Sequence, residues 1–252
     1  MPAAEPVAAT DAGRVGPEPT LPDAATLRAL SASCGLELAA FRPAHVARTI
    51  ARAVTRLGLP GPAALAAAIH GDPGLRGRFR RAVAVSTTGM FRDPAQFELL
   101  DRLMRADDRS GRPLKVWSIG ASDGSELCSL ALLLEAQGVL DGATLLGSDL
   151  MPENVALARE RSRERLAPAV FSALRFEERD VSRSTPDGTW DVVLCRNVLI
   201  HLAPGPKAAM LDHAAGALAP GGLLLLGRSE RLPVSDRRGL VDAGANAYRC
   251  AP

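Results

Sequence analysis

The stretch Val116–Leu130, VWSIGASDGSELCSL, sets Gly-Ala-Ser-Asp-Gly between an apolar run and the start of a helical pattern. Two chemistries fit those five residues. Read as Gly-x-Ser-x-Gly, they raise Ser122 as a nucleophile on a strand-to-helix turn. Read as a turn of small side chains, Gly120 and Ala121 let a ligand come close to the backbone. A serine hydrolase then needs an acid followed by a histidine, and Asp149, Asp180 or Asp191 with His201 or His213 supply that order. Order alone is a weak signal, because aspartates are common at the strand ends of any parallel sheet.

The ligand-cradle reading makes more demands on the sequence, and more of them are met. Asp149, in LLGSDL, ends a second apolar run, where a carboxylate can accept both hydroxyls of a ribose diol. Asp180 follows a third run, placed for a base edge. Each acid can instead cap a helix, and Met151-Pro152 directly after Asp149 suits that role. Since Gly-x-Gly-x-x-Gly is absent, a pyrophosphate has a poor cradle here, and an adenosyl group without phosphates fits better.

These residues need a scaffold, and the hydrophobic pattern describes one. From Asp23 to about Arg81 the periodicity is helical. Asp23 caps a first helix. A second carries Val46, Ile50, Val54 and Leu57 on one side, and Gly58 with Pro60-Gly61-Pro62 ends it. Two more helices run through Leu65 and Ile69 and through Phe79 and Val83. After Pro94 opens another helix, strands (114–119, 144–148, 174–177, 191–195, 223–227) alternate with helices (124–137, 152–166, 204–218). That alternation predicts an α/β fold with a mostly parallel, doubly wound sheet, preceded by a small all-helical domain. The expected organisation is a disordered tail over 1–22, a helical domain over 23–85 and a ligand-binding domain over 86–252.

Composition excludes several function classes. With 47% hydrophobic residues in 252, the chain can bury a large core, yet no apolar run is long enough to span a bilayer. Membrane insertion is therefore not expected. Cys34, Cys128, Cys195 and Cys250 stand far apart, so neither a metal site nor a disulfide framework is suggested, and a cytoplasmic setting fits. A formal charge of +2 and few aromatic residues argue against nucleic acid.

Five segments together resemble the CheR-type chemoreceptor glutamate methyltransferases: Ser86–Asp93 (STTGMFRD), Val116–Glu126, Gly147–Leu150, Cys195–Leu202 (CRNVLIHL) and Leu218–Glu230. The resemblance runs from about Asp23 to the end of the chain. It implies a Rossmann-like fold binding S-adenosylmethionine and methyl transfer to receptor glutamates. It also implies that Ser86, Thr88 and Arg92 close over the cofactor, with Glu126 near its amino-acid part. By the same resemblance Asp149 takes the ribose, Asp180 and Val181 take the adenine, and Arg196 and Asn197 form the wall beside the methyl. Gly120 and Ala121 form the cradle, and Arg92, Arg196 and His201 are the catalytic candidates. The family places a basic helix against its acidic substrate; Arg48, Arg52 and Arg56, four apart, match it or are simply a solvated face.

The departures from the family are as informative as the matches. Ser125-Glu126-Leu127-Cys128 lacks one acid and a tyrosine found in relatives, and His201 stands where a tyrosine is usual. Between Asp149 and Asp180 there is no room for the small β subdomain by which the family docks receptors. No tethering to a receptor tail is expected. Methylation of another protein or a small molecule, or a cofactor-binding module without turnover, are the alternative functions.

Overall fold

A computed structural model of the chain describes residues 18–84, 88–105 and 112–251. Most of the expected tail, and Ser86, lie outside the described residues. Local signals set the helix ends. The Asp23 carboxylate accepts the N–H groups of Ala25 and Thr26 at 2.9 and 3.0 Å to start α1 (Ala24–Cys34), which stops at Gly35 with φ +69°. Prolines occupy the first turn of α2 (Pro43–Arg56) and α3 (Pro62–Gly71) and open α4 (Pro73–Ala84), where the absent N–H costs nothing.

The second part begins with α5 (Pro94–Arg105). There follow β1 (Lys115–Ile119), α6 (Ser125–Ala136), β2 (Thr144–Asp149), α7 (Pro152–Arg165), the short α8 (Pro168–Phe171) and β3 (Leu174–Glu178). The chain continues through β4 (Trp190–Cys195), α9 (Pro204–Gly216), β5 (Leu218–Leu226), β6 (Val241–Gly244) and β7 (Ala247–Arg249). The sheet order is β3-β2-β1-β4-β5-β7-β6. The first five strands are parallel, as the alternation requires, and β7 lies antiparallel to both β5 and β6. The strand order reverses beside β1, which puts a crevice over the carboxyl ends of β1, β2 and β4.

Strand alternation divides the core in two. Trp117, Ile119, Val193, Cys195, Leu224 and Leu226 face one side and pack in one cluster with Leu30, Phe41, Ile50, Leu65 and Phe79 of the helical segment. Val116, Val192, Leu194, Leu223 and Leu225 face the other, against Phe97 and Leu100 of α5 and Leu127, Leu130 and Leu134 of α6. Leu21, just before α1, packs against the first cluster. The helical segment therefore shares its core with one face of the sheet.

Three features differ from the sequence expectations or go beyond them. The β6–β7 hairpin was not foreseen, because strands of four and three residues around Gly244 and Asn246 are too short to show a period of two. Strand β5 starts at Leu218 rather than 223, with an irregularity where Gly222 lies so close to the Ala219 and Trp190 carbonyls that a Cβ would sit 2.8 and 3.0 Å from them. Between Asp149 and Asp180 only α7, α8 and β3 are present, so the β subdomain is indeed missing. No helix among the described residues is long and apolar enough to cross a membrane.

Candidate active site

The crevice over β1, β2 and β4 opens into a cavity of about 330 Å³, at the lower end of the range for small-molecule sites. Thr88, Arg92, Gly120, Ala121, Glu126, Asp149, Asp180, Val181, Arg196, Asn197 and His201 all line it. Of the residues expected at the site, only Ser86 has no described position. The chain thus brings together groups spread over more than a hundred residues.

The first turn is built by close approach. Gly120 has φ +74°, and a Cβ there would lie 2.6 Å from Val198, so only glycine lets the loop after β4 press against the end of β1. The N–H groups of Gly120 and Ala121 both donate to the Ser148 carbonyl. Ser122 sits at φ +50° because its N–H donates to Asp149 Oδ2 at 2.8 Å. That strained serine resembles a nucleophile elbow, but its partners are elsewhere. His213 Nδ1 is 2.6 Å from the Val181 carbonyl, His201 lies beside His45, and no hydrogen bond among the described residues joins Ser122 to a histidine. The hydrolase arrangement is not assembled.

Asp149 ends β2 in a nest of donors: Oδ2 takes Ser122 N–H, and Oδ1 takes Met151 N–H at 2.9 Å and Asn154 Nδ2 at 3.0 Å. Burial pushes its carboxyl above the ordinary value, against hydrogen bonds from Met151, Ser122 and Asn154 that pull it down. Met151, not Asp149, is the N-cap residue of α7, and no side chain caps that helix; the Asp149 carboxylate instead holds the Met151 N–H and the Asn154 side chain while lining the cavity. Asp180 turns its side chain to Ser182 and Arg183 in its own loop. Beside it Val181 is buried, offering an apolar wall.

Arg196 is a brace. Its Nε donates to Gln96 Oε1 at 2.9 Å, Nη1 to Glu126 Oε2 at 2.9 Å, and Nη2 to the Arg92 carbonyl at 2.6 Å and to Asp93 at 3.3 Å, with Phe97 stacked below. Arg196 lines the cavity, as expected of the wall beside the methyl, but its planar fork is spent on protein groups. Ser118 Oγ holds the other Glu126 oxygen at 2.9 Å. The loop that carries Arg92 is bent hard, with Phe91 at φ +49° and Asp93 at φ +56°, and strain of this kind persists where surrounding bonds over-determine it.

The helical segment closes the cavity. Gly35, Leu36, Glu37 and Phe41 line its outer wall. A short antiparallel pairing joins the segment to the loop after β4: Arg42 N–H donates to the His201 carbonyl and Ala203 N–H to that of Ala40, both at 2.9 Å. Sequence reasoning missed this closure, along with Gln96, Asn154 and Glu230. Gln96 has a local signal, Asp-x-x-Gln at a helix start, but that pattern reads as a capping box. In the structure the amide crosses to Arg196 and to the Leu226 carbonyl instead.

A model of the CheR methyltransferase SAM-binding domain matches residues 86–166 and 159–245. The chain belongs to the CheR methyltransferase family. A chemotaxis protein methyltransferase of Vibrio parahaemolyticus is 30% identical over 89% of this chain and 92% of its own length. Chemotaxis protein methyltransferase 1 of Vibrio cholerae is 32% identical over 68% of this chain and 72% of its own. Among solved structures, SAM-bound CalS10, an amino pentose methyltransferase, is 24% identical and covers 55% of this chain and 52% of that one, with a TM-score of 0.39.

The cofactor of this CheR domain is S-adenosylmethionine, and the residues present fit it. Asp149 offers a buried acceptor for a diol, Val181 and Met210 an apolar slot for a flat base, and the glycine turn a close backbone approach. His201 lines the same cavity, half-buried beside His45. Burial, with the positive charges of His45, Arg42 and Arg92, lowers its pKa. His201 is therefore neutral at pH 7, and its midpoint, followed by NMR of the ring C–H, is expected below the ordinary histidine value of about 6.5. By linkage the unfolded chain binds the proton first. The histidine thus costs stability as pH falls below that ordinary value and nothing above it.

Proposed function

We propose that this CheR methyltransferase carries the methyl group of S-adenosylmethionine to glutamate side chains on the cytoplasmic helices of chemoreceptors, working in the cytoplasm. The observation that carries the reading is the convergence of four of the five motif segments, those around Thr88, Gly120, Asp149 and Arg196, on one cavity at the strand ends. The cofactor supplies a methyl already activated by a sulfonium. A glutamate is ionised at neutral pH, so no general base is required and positioning is the main task. Arg92 holds a carboxylate by its planar fork, that of the cofactor or of the substrate. Arg196 and Glu126 keep the Arg92 loop in place, and neutral His201 offers a hydrogen bond on the acceptor side. The domain division at residue 85 follows the same reading, with the helical segment as the substrate-facing unit.

Charge supports an acidic partner. Across residues 23–84 nine arginines stand against three carboxylates, Asp23, Glu37 and Asp72. Arg48, Arg52 and Arg56 are exposed on α2, while Val46, Ala47 and Ile50 are buried beneath them. Without a β subdomain to hold a receptor tail, this stripe is the means of docking. Reversing all three to glutamate is expected to raise KM for a receptor cytoplasmic fragment tenfold or more, with S-adenosylmethionine affinity unchanged and the salt dependence of KM reduced.

Transfer of label from the methyl of S-adenosylmethionine into base-labile esters on such a fragment tests the reading directly. Cofactor binding in calorimetry without labelled ester on any receptor fragment would overturn it. Labelled product with a different acceptor would keep the transfer and replace the substrate.

A further inference from the structure

The turn after β5 holds a carboxylate that the cofactor chemistry does not use. Glu230 is 5% exposed, and it does not line the cavity. Its Oε2 accepts the N–H of Asn197 at 2.6 Å and of Gly227 at 2.8 Å, and its Oε1 accepts the N–H of Ile200 at 3.2 Å. Two of those donors belong to the loop after β4 that presents Asn197 and His201 to the cavity.

That loop needs an anchor. Asn197 is held at φ +61°, and the backbone pairing with residues 40–42 begins only at His201, beyond the single turn Leu199–His201, so it does not fix Asn197 itself. A carboxylate accepting backbone N–H groups makes charge-assisted bonds, about twice as strong as neutral ones. One carboxylate here grips the loop at both ends of the bend. Gly227 leaves it room: a Cβ there would stand 2.4 Å from Glu230 Oε2 and 2.7 Å from Asn197 N.

We infer that Glu230 is a positioning residue, which sets Asn197 and His201 against the acceptor side of the methyl-transfer site by tying their loop to the end of β5. The inference rests on the methyltransferase reading of the cavity. It also makes Gly227→Ala equivalent to Glu230→Gln. The amide has one acceptor oxygen, so either its NH2 faces the Ile200 N–H or it faces those of Asn197 and Gly227, and the charge is lost in both orientations; the alanine methyl pushes the same oxygen away from Asn197.

The test uses the full chain and the variants Glu230→Gln, Glu230→Asp and Gly227→Ala, assayed well below their melting temperatures. Glu230→Gln and Gly227→Ala are expected to lower kcat for labelled methyl transfer tenfold or more. S-adenosylhomocysteine affinity should stay within about threefold of wild type, and Glu230→Asp should recover part of kcat. A second readout needs no substrate. The His201 ring faces His45, Arg42 and Arg92, and in a slackened loop it gains water. Its NMR titration midpoint should then move up toward the ordinary value in both variants. A wild-type kcat with only Tm lowered, or an unmoved His201 midpoint in both variants, would overturn the inference. If Glu230→Gln does not fold, Gly227→Ala and Glu230→Asp decide by the same readouts. Should the wild type fail to methylate receptor fragments, the substrate reading falls, while the His201 midpoints still decide for or against the anchor.

Discussion

Replacing Arg196 with methionine is expected to destabilise the fold by about 3–5 kcal/mol, the usual cost of removing one partner from a buried ion pair. In a chain of this size that lowers Tm by roughly 10 °C. The side chain is 3% exposed, and its carboxylate partners Glu126 and Asp93 are 15% and 26% exposed. Methionine leaves Glu126 with Ser118 and a buried charge, leaves the Gln96 oxygen without its donor, and frees the carbonyl that anchors the Arg92 loop. Lysine keeps the charge but not the fork, so it can restore the Glu126 contact and not the whole set. Thermal and urea unfolding of Arg196→Met and Arg196→Lys should rank them below wild type in that order, methionine lowest. A methionine variant melting within 2 °C of wild type would mean that the brace contributes little.

Asp149→Asn should weaken S-adenosylmethionine binding by about a hundredfold or more, since two hydrogen bonds to a charged acceptor contribute about 1.5–3 kcal/mol each and 1.4 kcal/mol is tenfold. The cost to the unliganded fold should be far smaller. Burial already holds the carboxyl above its ordinary value, so ionisation is harder in the folded site than in the unfolded chain. The sign follows from linkage. A carboxyl with a raised folded pKa contributes most stability below its ordinary value, and that contribution fades as pH rises through the folded one. At neutral pH an uncharged side chain is therefore tolerated. One cost remains, because the amide nitrogen must face the N–H of Ser122 or those of Met151 and Asn154. Calorimetry with the cofactor and thermal unfolding without it separate the two effects; equal losses in both would show that Asp149 is only a scaffold residue. In the wild type, affinity should fall on acidification earlier than for an ordinary aspartate.

Much of this was legible from the chain itself, because the signals are local. Asp23 before α1, proline in the first turn of α2, α3, α7 and α9, and Gly35 after α1 act on neighbours a few residues away. The near-continuous apolar runs at 116–119 and 192–195 declare strands buried on both faces. Motif order then pointed to one adenosyl pocket, and Gly120, Asp149, Val181 and Asn197 line a single cavity.

What the amino-acid order settled by itself was the alternation of strands and helices, the family, and the absence of a β subdomain, each a matter of adjacent residues and counted spacings. Only the folded chain decided that Arg196 is spent on Gln96, Glu126 and the Arg92 loop, that residues 40–42 pair with 201–203 to close the cavity, and that Glu230 holds Asn197. A hydrogen bond across thirty to a hundred residues leaves no period and no spacing in the sequence. It exists only after the sheet has brought the strand ends within 3 Å of one another's partners.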